Sequence, residues 1–409
     1  MSGDLLSYIG VKLSGGVPVT ELMIHARDLD EPTMQQVMDI ACHPAVTGLV
    51  SIMPDCHLGA GCVIGFTGRF KDAVIPNVVG VDIGCGVMMS PAGKMRRKDI
   101  DLPALDFFIR KNIPLGMTHH RNPVILERFS VRFPDKGARA KELASLADGE
   151  FYGKLMSRRP KYPAWAQLGT LGGGNHFIEI DEDESGSLFI SIHSGSRHFG
   201  FQVAGFFQDM ARKFQEKSKG RESIPRGLEH LPMDRGGKDY MKWLALAQEF
   251  ARLNRFIMLD IILSFFGMKA EEQTIVESVH NYISDKDGIV RKGAISAHKG
   301  EKVVIPVSMA SGIVAGVGKG NASFNFSAPH GAGRLFGRKE MKRRLSKGEI
   351  SMESFRKSME GIFSTSVSRD TIDESPMAYR KWEDISSEIG GTIEVKAILK
   401  PVYNLKAAE

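Results

Sequence analysis

The stretch Val81-Asp82-Ile83-Gly84-Cys85-Gly86 constrains this chain more than any other. Gly80, Gly84 and Gly86 let the backbone curl tightly enough to aim two side chains at one point. A carboxylate and a thiolate three residues apart can then face one metal ion, and a thiolate can also bridge two. Read alone, the turn suits a buried structural cysteine slightly better. Three histidine-bearing segments further along decide for the metal.

Composition frames the choice. A chain of 409 residues suits one large domain or two ordinary ones. It is 42% hydrophobic and 25% charged, as soluble globular proteins are. Its net charge of +6 fits a polyanionic partner without requiring one. The four cysteines, Cys42, Cys56, Cys62 and Cys85, contain no CxxC pair and are too few for a disulfide scaffold. A reducing cytoplasm is therefore expected. The first residues lack a basic region followed by an apolar one, so no secretory leader is expected. The longest apolar run, Ile257 to Phe266, is broken by Asp260 and too short to span a bilayer, so no membrane role is expected.

Local signals give a mixed chain. Residues 14–18 read as a turn entering a strand. Asp30-Glu31-Pro32 reads as a helix start, with Met34, Val37, Met38 and Ala41 on the apolar face. Residues 48–90 read as short strands broken by Gly and Pro, and 103–160 as polar helices with breaks. Leu188 to His193 reads as a strand ending in a histidine. Trp243, Leu246, Phe250, Leu253, Ile257 and Ile261 recur at helical spacing, and Phe265, Phe266 and Gly267 close that helix. Short strands return over 288–329, and a last strand lies near 393–403. This is an α+β chain whose candidate ligands sit on loops at strand ends.

Three segments supply imidazoles. In Gly172-Gly173-Gly174-Asn175-His176-Phe177-Ile178-Glu179 the glycines allow an anion to approach the backbone, and His176 follows at once. His193-Ser194-Gly195-Ser196-Arg197 pairs a ligand candidate with an arginine able to grip phosphate. His280-Asn281 is the third. One carboxylate, one thiolate and three imidazoles suit two ions such as Zn²⁺, Mn²⁺ or Co²⁺ better than Mg²⁺. In His330-Gly331-Ala332-Gly333-Arg334, small residues leave room for a phosphate beside a histidine able to form a phosphoramidate, with Arg334 to stabilise the charge.

In their order along the chain, these segments resemble the motifs of the RtcB-type RNA-splicing ligases. So do Met53-Pro54-Asp55-Cys56-His57-Leu58-Gly59, Asp373-Glu374-Ser375-Pro376-Met377-Ala378-Tyr379 and the late Lys406, from about residue 15 onward. The resemblance implies one domain over 1–409, with a β-rich core, surrounding helices and a dinuclear metal site in a central cleft. It implies a GTP-dependent ligase that joins RNA 3′-phosphate or 2′,3′-cyclic phosphate ends to 5′-hydroxyl ends, in RNA repair or tRNA splicing. Two Mn²⁺ ions are implied, bridged by Cys85, with His176 and His193 on one and Asp82 and His280 on the other. His330 would carry GMP. Asn175, His176, Phe177, Ile178, Glu179, His280, Asn281, Pro306, Val307, Ser308, Met309, Gly331, Ala332, Gly333, Tyr379 and Lys406 would lie along the guanylate. Asp55 and His57 would stand behind them, and Arg197 and Arg334 would meet phosphate or RNA. An archease-type activator or a release-factor-like repair partner is implied, acting on a monomer. The chain departs from the family pattern at Cys56, Val307, Ile313 and Pro329. These changes touch the nucleotide pocket, and those at Val307 and Ile313 motivate the alternative of an RNA cyclic phosphodiesterase without ligation. The basic run Arg338, Lys339, Lys342, Arg343, Arg344 reads equally as an RNA track or a solvated helix face.

Overall fold

The computed structural model describes residues 7–12, 18–27, 29–217 and 224–407, with side chains from residue 21 onward. Two sheets and a long helix organise them. The turn expected over 14–18 falls outside the described residues up to 17, and Pro18 opens the strand Pro18–Ile24. The helix Glu31–Ala41 begins as expected, with the Asp30 carboxylate accepting from Thr33 N–H at 2.9 Å.

A six-stranded sheet runs in the order Ser7–Lys12, Pro18–Ile24, Val46–His57, Ile64–Phe70, Val290–Lys292, Asn281–Ile283. A seven-stranded sheet runs Val276–Val279, Gly86–Pro91, Leu188–Ser194, Phe177–Glu182, Ile393–Lys406, Gly312–Gly318, Lys302–Ser308, with every neighbour antiparallel. Strand periodicity sorts its two faces. Ile178, Ile180, Ile190 and Ile192 join the main core with Phe250, Ile257 and Leu263 of the helix Lys238–Phe265. Their alternates Val87, Met89 and Phe177 pack with Val304, Ile313 and Leu399 on the opposite face.

The long helix has the expected apolar face and ends at the expected place, with Phe266 at its cap and Gly267 at φ +70°. Asp260 within it is paired by Arg132 through two 2.8 Å hydrogen bonds. Residues 103–160 form the helices Leu102–Asn112, Val124–Arg132 and Pro134–Leu146, continued by π-helical turns over Ala147–Leu155. A further helix, Arg197–Lys217, buries Phe199, Val203, Ala204, Phe207 and Ala211. Among the described residues no helix is long and apolar enough to cross a membrane.

Candidate active site

The antiparallel order of the seven-stranded sheet draws the candidate ligands together. Strands Gly86–Pro91 and Phe177–Glu182 begin at the same edge where Leu188–Ser194 and Val276–Val279 end, because Val87 and Phe177 both pair with His193 and Val279 pairs with Gly86. Cys85, His176, His193 and His280 stand on those four ends. Asp82 is one turn before Cys85, whose N–H donates back to the Asp82 carbonyl at 3.2 Å. Gly84 makes that turn possible. Its φ is +70°, and a Cβ there would lie 2.9 Å from Gln248 Cα on the long helix.

Cys85 Sγ is 3.4 Å from His176 Nε2 and 3.2 Å from His193 Nε2. His193 Nε2 is 3.3 Å from His280 Nε2, and His176 Nε2 is 2.9 Å from Asp82 Oδ2. Two triads with ligand atoms within 4.8 Å share the cysteine: Asp82, Cys85, His176 and Cys85, His193, His280. This partition joins His176 to Asp82 and His193 to His280, whereas the resemblance implies His176 with His193 and Asp82 with His280. Cys85 touches both His176 and His193, so the five donors are common to either division.

Hydrogen bonding behind the rings sets their tautomers. His176 Nδ1 donates to the Leu171 carbonyl at 3.0 Å and His193 Nδ1 to the Asn175 carbonyl at 3.2 Å. A carbonyl only accepts, so both rings turn an Nε2 lone pair toward the thiol. Burial, then the neighbouring His176, holds His193 well below the usual imidazole range. Burial, then His330 and His193, does the same to His280. Burial, then the Asp82 carboxylate, pushes the Cys85 thiol up. Lone pairs converging on a thiol and a carboxylate repel one another unless a cation lies among them. The set fits borderline divalent ions, which bind thiolate and imidazole together.

The second centre comes from the six-stranded sheet. Asp55, on Val46–His57, accepts from His330 Nδ1 at 2.7 Å, and His330 follows the short strand Ser327–Pro329. That bond leaves Nε2 as the lone-pair nitrogen. The ring centroid of His330 lies 5.0 Å from that of His280, so the candidate nucleophile and the ligand cluster adjoin. His57 Nδ1 donates to the Asp55 carbonyl at 3.0 Å.

Beside them opens a cavity of about 260 Å³. Of the residues expected along a guanylate, Asn175, Phe177, Glu179, Pro306, Val307, Ser308, Met309, His330, Gly331, Ala332, Gly333, Tyr379 and Lys406 line it. Ile178 does not; it faces the main core. His176 and His280 stay with the ligand cluster. Asn281 is behind it, where its amide donates to the Asp82 carbonyl at 3.3 Å and accepts from Gly293 N–H at 3.1 Å.

The two arginines have different surroundings. Arg197 reaches over Gly172, where a Cβ would overlap its guanidinium, and its Nη1 is 3.4 Å from His176 Nδ1. Arg334 is largely engaged: it donates to Glu374 at 3.0 Å, to Tyr379 Oη at 2.9 Å and to the Phe336 carbonyl at 3.1 Å. Glu374 is the hub of this corner. It also accepts from Lys406 Nζ at 2.9 Å and Tyr379 Oη at 2.6 Å. Burial alone would raise its carboxyl, but Lys406 and Arg334 outweigh that and hold it down to about 2. Sequence reasoning names Glu374 within a motif and gives it no role. It passes over Asn404 and Arg338 as cavity residues altogether. Asn404 had a readable signal, since it is two residues before Lys406 on a strand and so shares its face.

The departures from the family pattern are in place. Val307 is 3% exposed and Ile313 0%, both filling apolar clusters. Ser311 Oγ is 2.9 Å from Ser308 Oγ, which supplies a hydroxyl partner near position 313. Pro329 pairs with Ala294 and ends its strand immediately before His330. In the helix Arg338–Ser346, Arg343 and Arg344 are bonded to Glu340, and Arg343 also to Glu349.

RNA-splicing ligase RtcB of Escherichia coli K12 is 32% identical over 405 residues, covering 91% of this chain and 93% of its own. tRNA-splicing ligase RtcB of Methanococcus maripaludis is 28% identical over 472 residues, covering 97% and 95%. That of Pyrobaculum aerophilum is 28% identical over 443 residues, covering 91% and 90%. The profile of the tRNA-splicing ligase RtcB family matches residues 36–407, and the chain belongs to that family.

Proposed function

We propose that this chain is a GTP-dependent RNA ligase acting as one domain over residues 1–409. It joins an RNA 3′-phosphate or 2′,3′-cyclic phosphate end to a 5′-hydroxyl end. The observation that carries the reading is the Asp55–His330 pair, 2.7 Å apart, with His330 lining the cavity and packed against His280 of the five-donor cluster. Asp55 keeps the proton on Nδ1, so Nε2 attacks the α-phosphorus of GTP and pyrophosphate leaves. A 3′-phosphate oxygen of RNA then attacks the same phosphorus, and His330 Nε2 departs with its bond electrons. The RNA 5′-hydroxyl displaces GMP from the activated end and completes the phosphodiester.

Asp82, Cys85, His176, His193 and His280 would hold two Mn²⁺ ions, which neutralise phosphate charge and improve the leaving group. Lys406 and Asn175 lie together, with Lys406 Nζ 3.3 Å from the Asn175 carbonyl, at the wall facing the nucleotide. Arg197 adds positive charge beside the cluster for a phosphate.

Intact mass after incubation with GTP and Mn²⁺ tests this. The expected result is a gain of one GMP in the wild type, none in His330→Ala, and equal metal content in both. Metal-loaded wild type that gains nothing, yet opens a 2′,3′-cyclic phosphate, would replace the ligase with the phosphodiesterase.

A further inference from the structure

Arg197 leads out of the ligand cluster onto a surface that the reaction above does not use. Its guanidinium lies over Gly172, and its Nη1 is 3.4 Å from His176 Nδ1. Two segments flank it. The helix Arg197–Lys217 carries His198 and Phe201, three residues apart and therefore on one side. The loop after Leu115 is held against the glycine turn, with Gly116 N–H donating to the Gly172 carbonyl at 2.9 Å. Farther along that loop, His120 Nε2 donates to the Gly169 carbonyl at 3.2 Å, while His119 stacks on Tyr162.

Four rings thus follow one another. The centroids of His119 and Tyr162 are 4.3 Å apart, Tyr162 is 5.6 Å from His198, and His198 is 6.2 Å from Phe201 and 17° from parallel. A folded chain rarely leaves such a group in water without a partner for it. Here Phe201 is 50% exposed and Met117, two residues before His119, is 78% exposed. His119, Tyr162 and His198 are half-buried.

Cations accompany the rings. Lys161 precedes Tyr162, Arg121 is two residues after His119, and Arg158 and Lys161 lie close enough to His198 to act on its charge. Burial, then these two cations, hold His198 below the usual imidazole range, so its ring is neutral near pH 7. Arg121, Arg158 and Lys161 are exposed, and among the described residues none of the three forms an ion pair. The helix Arg338–Ser346 is the contrast, because Glu340 engages its Arg343 and Arg344. Rings interleaved with unpaired cations suit a single nucleic-acid strand, whose bases each offer a π-face and whose linkages are each negative. A duplex keeps those faces inside its own stack.

We propose that His119, Tyr162, His198 and Phe201 form a stacking platform for an unpaired RNA strand that enters the ligand cluster past Arg197, with Arg121, Arg158 and Lys161 on its phosphates. This rests on the reading of the chain as an RNA ligase. It makes the preferred substrate an end that is single-stranded beyond its terminal nucleotide.

Fluorescence anisotropy of the full chain in Mn²⁺ with three labelled RNA 3′-phosphates tests this: a single strand, an abasic strand of the same length, and a blunt duplex. GMP attachment, which involves no RNA, reports that each variant is folded. Wild type is expected to bind the base-bearing strand about tenfold or more tighter than the other two. His119→Ala and Phe201→Ala are each expected to weaken the base-bearing strand about tenfold and leave the abasic one unchanged, and Phe201→Trp to restore it. Arg158→Ala and Lys161→Ala are expected to weaken both strands and to lower the salt slope by about 0.7 each. Equal binding of base-bearing and abasic strands by wild type, or full RNA affinity in both ring variants, overturns the proposal and leaves the ligase reading standing. Wild type that takes no GMP and binds no RNA overturns both.

Discussion

In the proposed reaction, Asp55 decides which nitrogen of His330 attacks. It is almost fully buried and fixes the proton on Nδ1 through a 2.7 Å bond, so Nε2 is the only lone pair offered to the cavity. Asp55→Asn keeps an acceptor in place but loses the charge that steadies the imidazolium of each step. GMP attachment in a single turnover is expected to slow about a hundredfold or more, by analogy with other Asp–His pairs. An unchanged rate would remove Asp55 from the reaction. A second histidine bears on stability. Burial, then the neighbouring His230, holds His43 down to about 4. Its folded value is thus depressed below the unfolded one of about 6.5. The unfolded chain takes up the proton first as pH falls, so the stability it confers is complete above about pH 6.5 and is lost toward pH 4. The full loss is about 3 kcal/mol. Denaturant unfolding of wild type and His43→Gln at pH 7 and pH 5 measures it, and the variant should show the smaller drop.

At the scale of elements, one residue ties the ligand loops to the long helix. Arg255 is 0% exposed and donates to the Gly84 carbonyl at 2.7 Å, to the Ser194 carbonyl and to Glu277 at 2.9 Å. It thereby fixes the Cys85 turn and the His193 strand end together. Arg255→Met leaves Glu277 without this partner and two carbonyls unmet, an expected loss of about 3 kcal/mol. A change below about 1 kcal/mol would mean the loops hold themselves, as exposed pairs do. What the sequence discloses at this scale follows from range. The helices Glu31–Ala41 and Lys238–Phe265 are legible because a cap or an uninterrupted apolar stripe lies within a few residues. The helix Arg197–Lys217 escapes notice because Gly200 and Gly205 break its propensity, and its stability comes from Phe199, Val203 and Phe207 packed in the core.

Across the whole molecule, the metal-ligand candidates are legible as short motifs, but their convergence is not. It depends on four strand ends of one antiparallel sheet, and nothing near Cys85 in sequence specifies that His193 will be 3.2 Å away. Asn404 and the Asp55–His330 pair are separated from their partners by 225 and 275 residues, beyond any periodicity. Ionic strength gives a measurement at this scale. With a net charge of +6 and Arg197 beside the cluster, RNA binding is expected to weaken steeply from 50 to 200 mM salt, and GMP binding to the cavity much less. Equal salt slopes for the two would argue that RNA is not held by its backbone.

The strand Ile393–Lys406 lies between Phe177–Glu182 and Gly312–Gly318 in the seven-stranded sheet and pairs with both. It also carries Asn404 and Lys406 into the cavity. During synthesis, therefore, a ribosome has to release residue 406 before the nucleotide wall exists. On the function proposed above, a nascent chain that already holds Cys85 and His330 is expected to be inert toward GTP until Lys406 is in place. Nascent chains arrested with residue 406 inside the exit tunnel should take no GMP label, and chains extended by a long flexible tail should take it fully. Labelling of the shorter chains would show that the wall closes without its last strand.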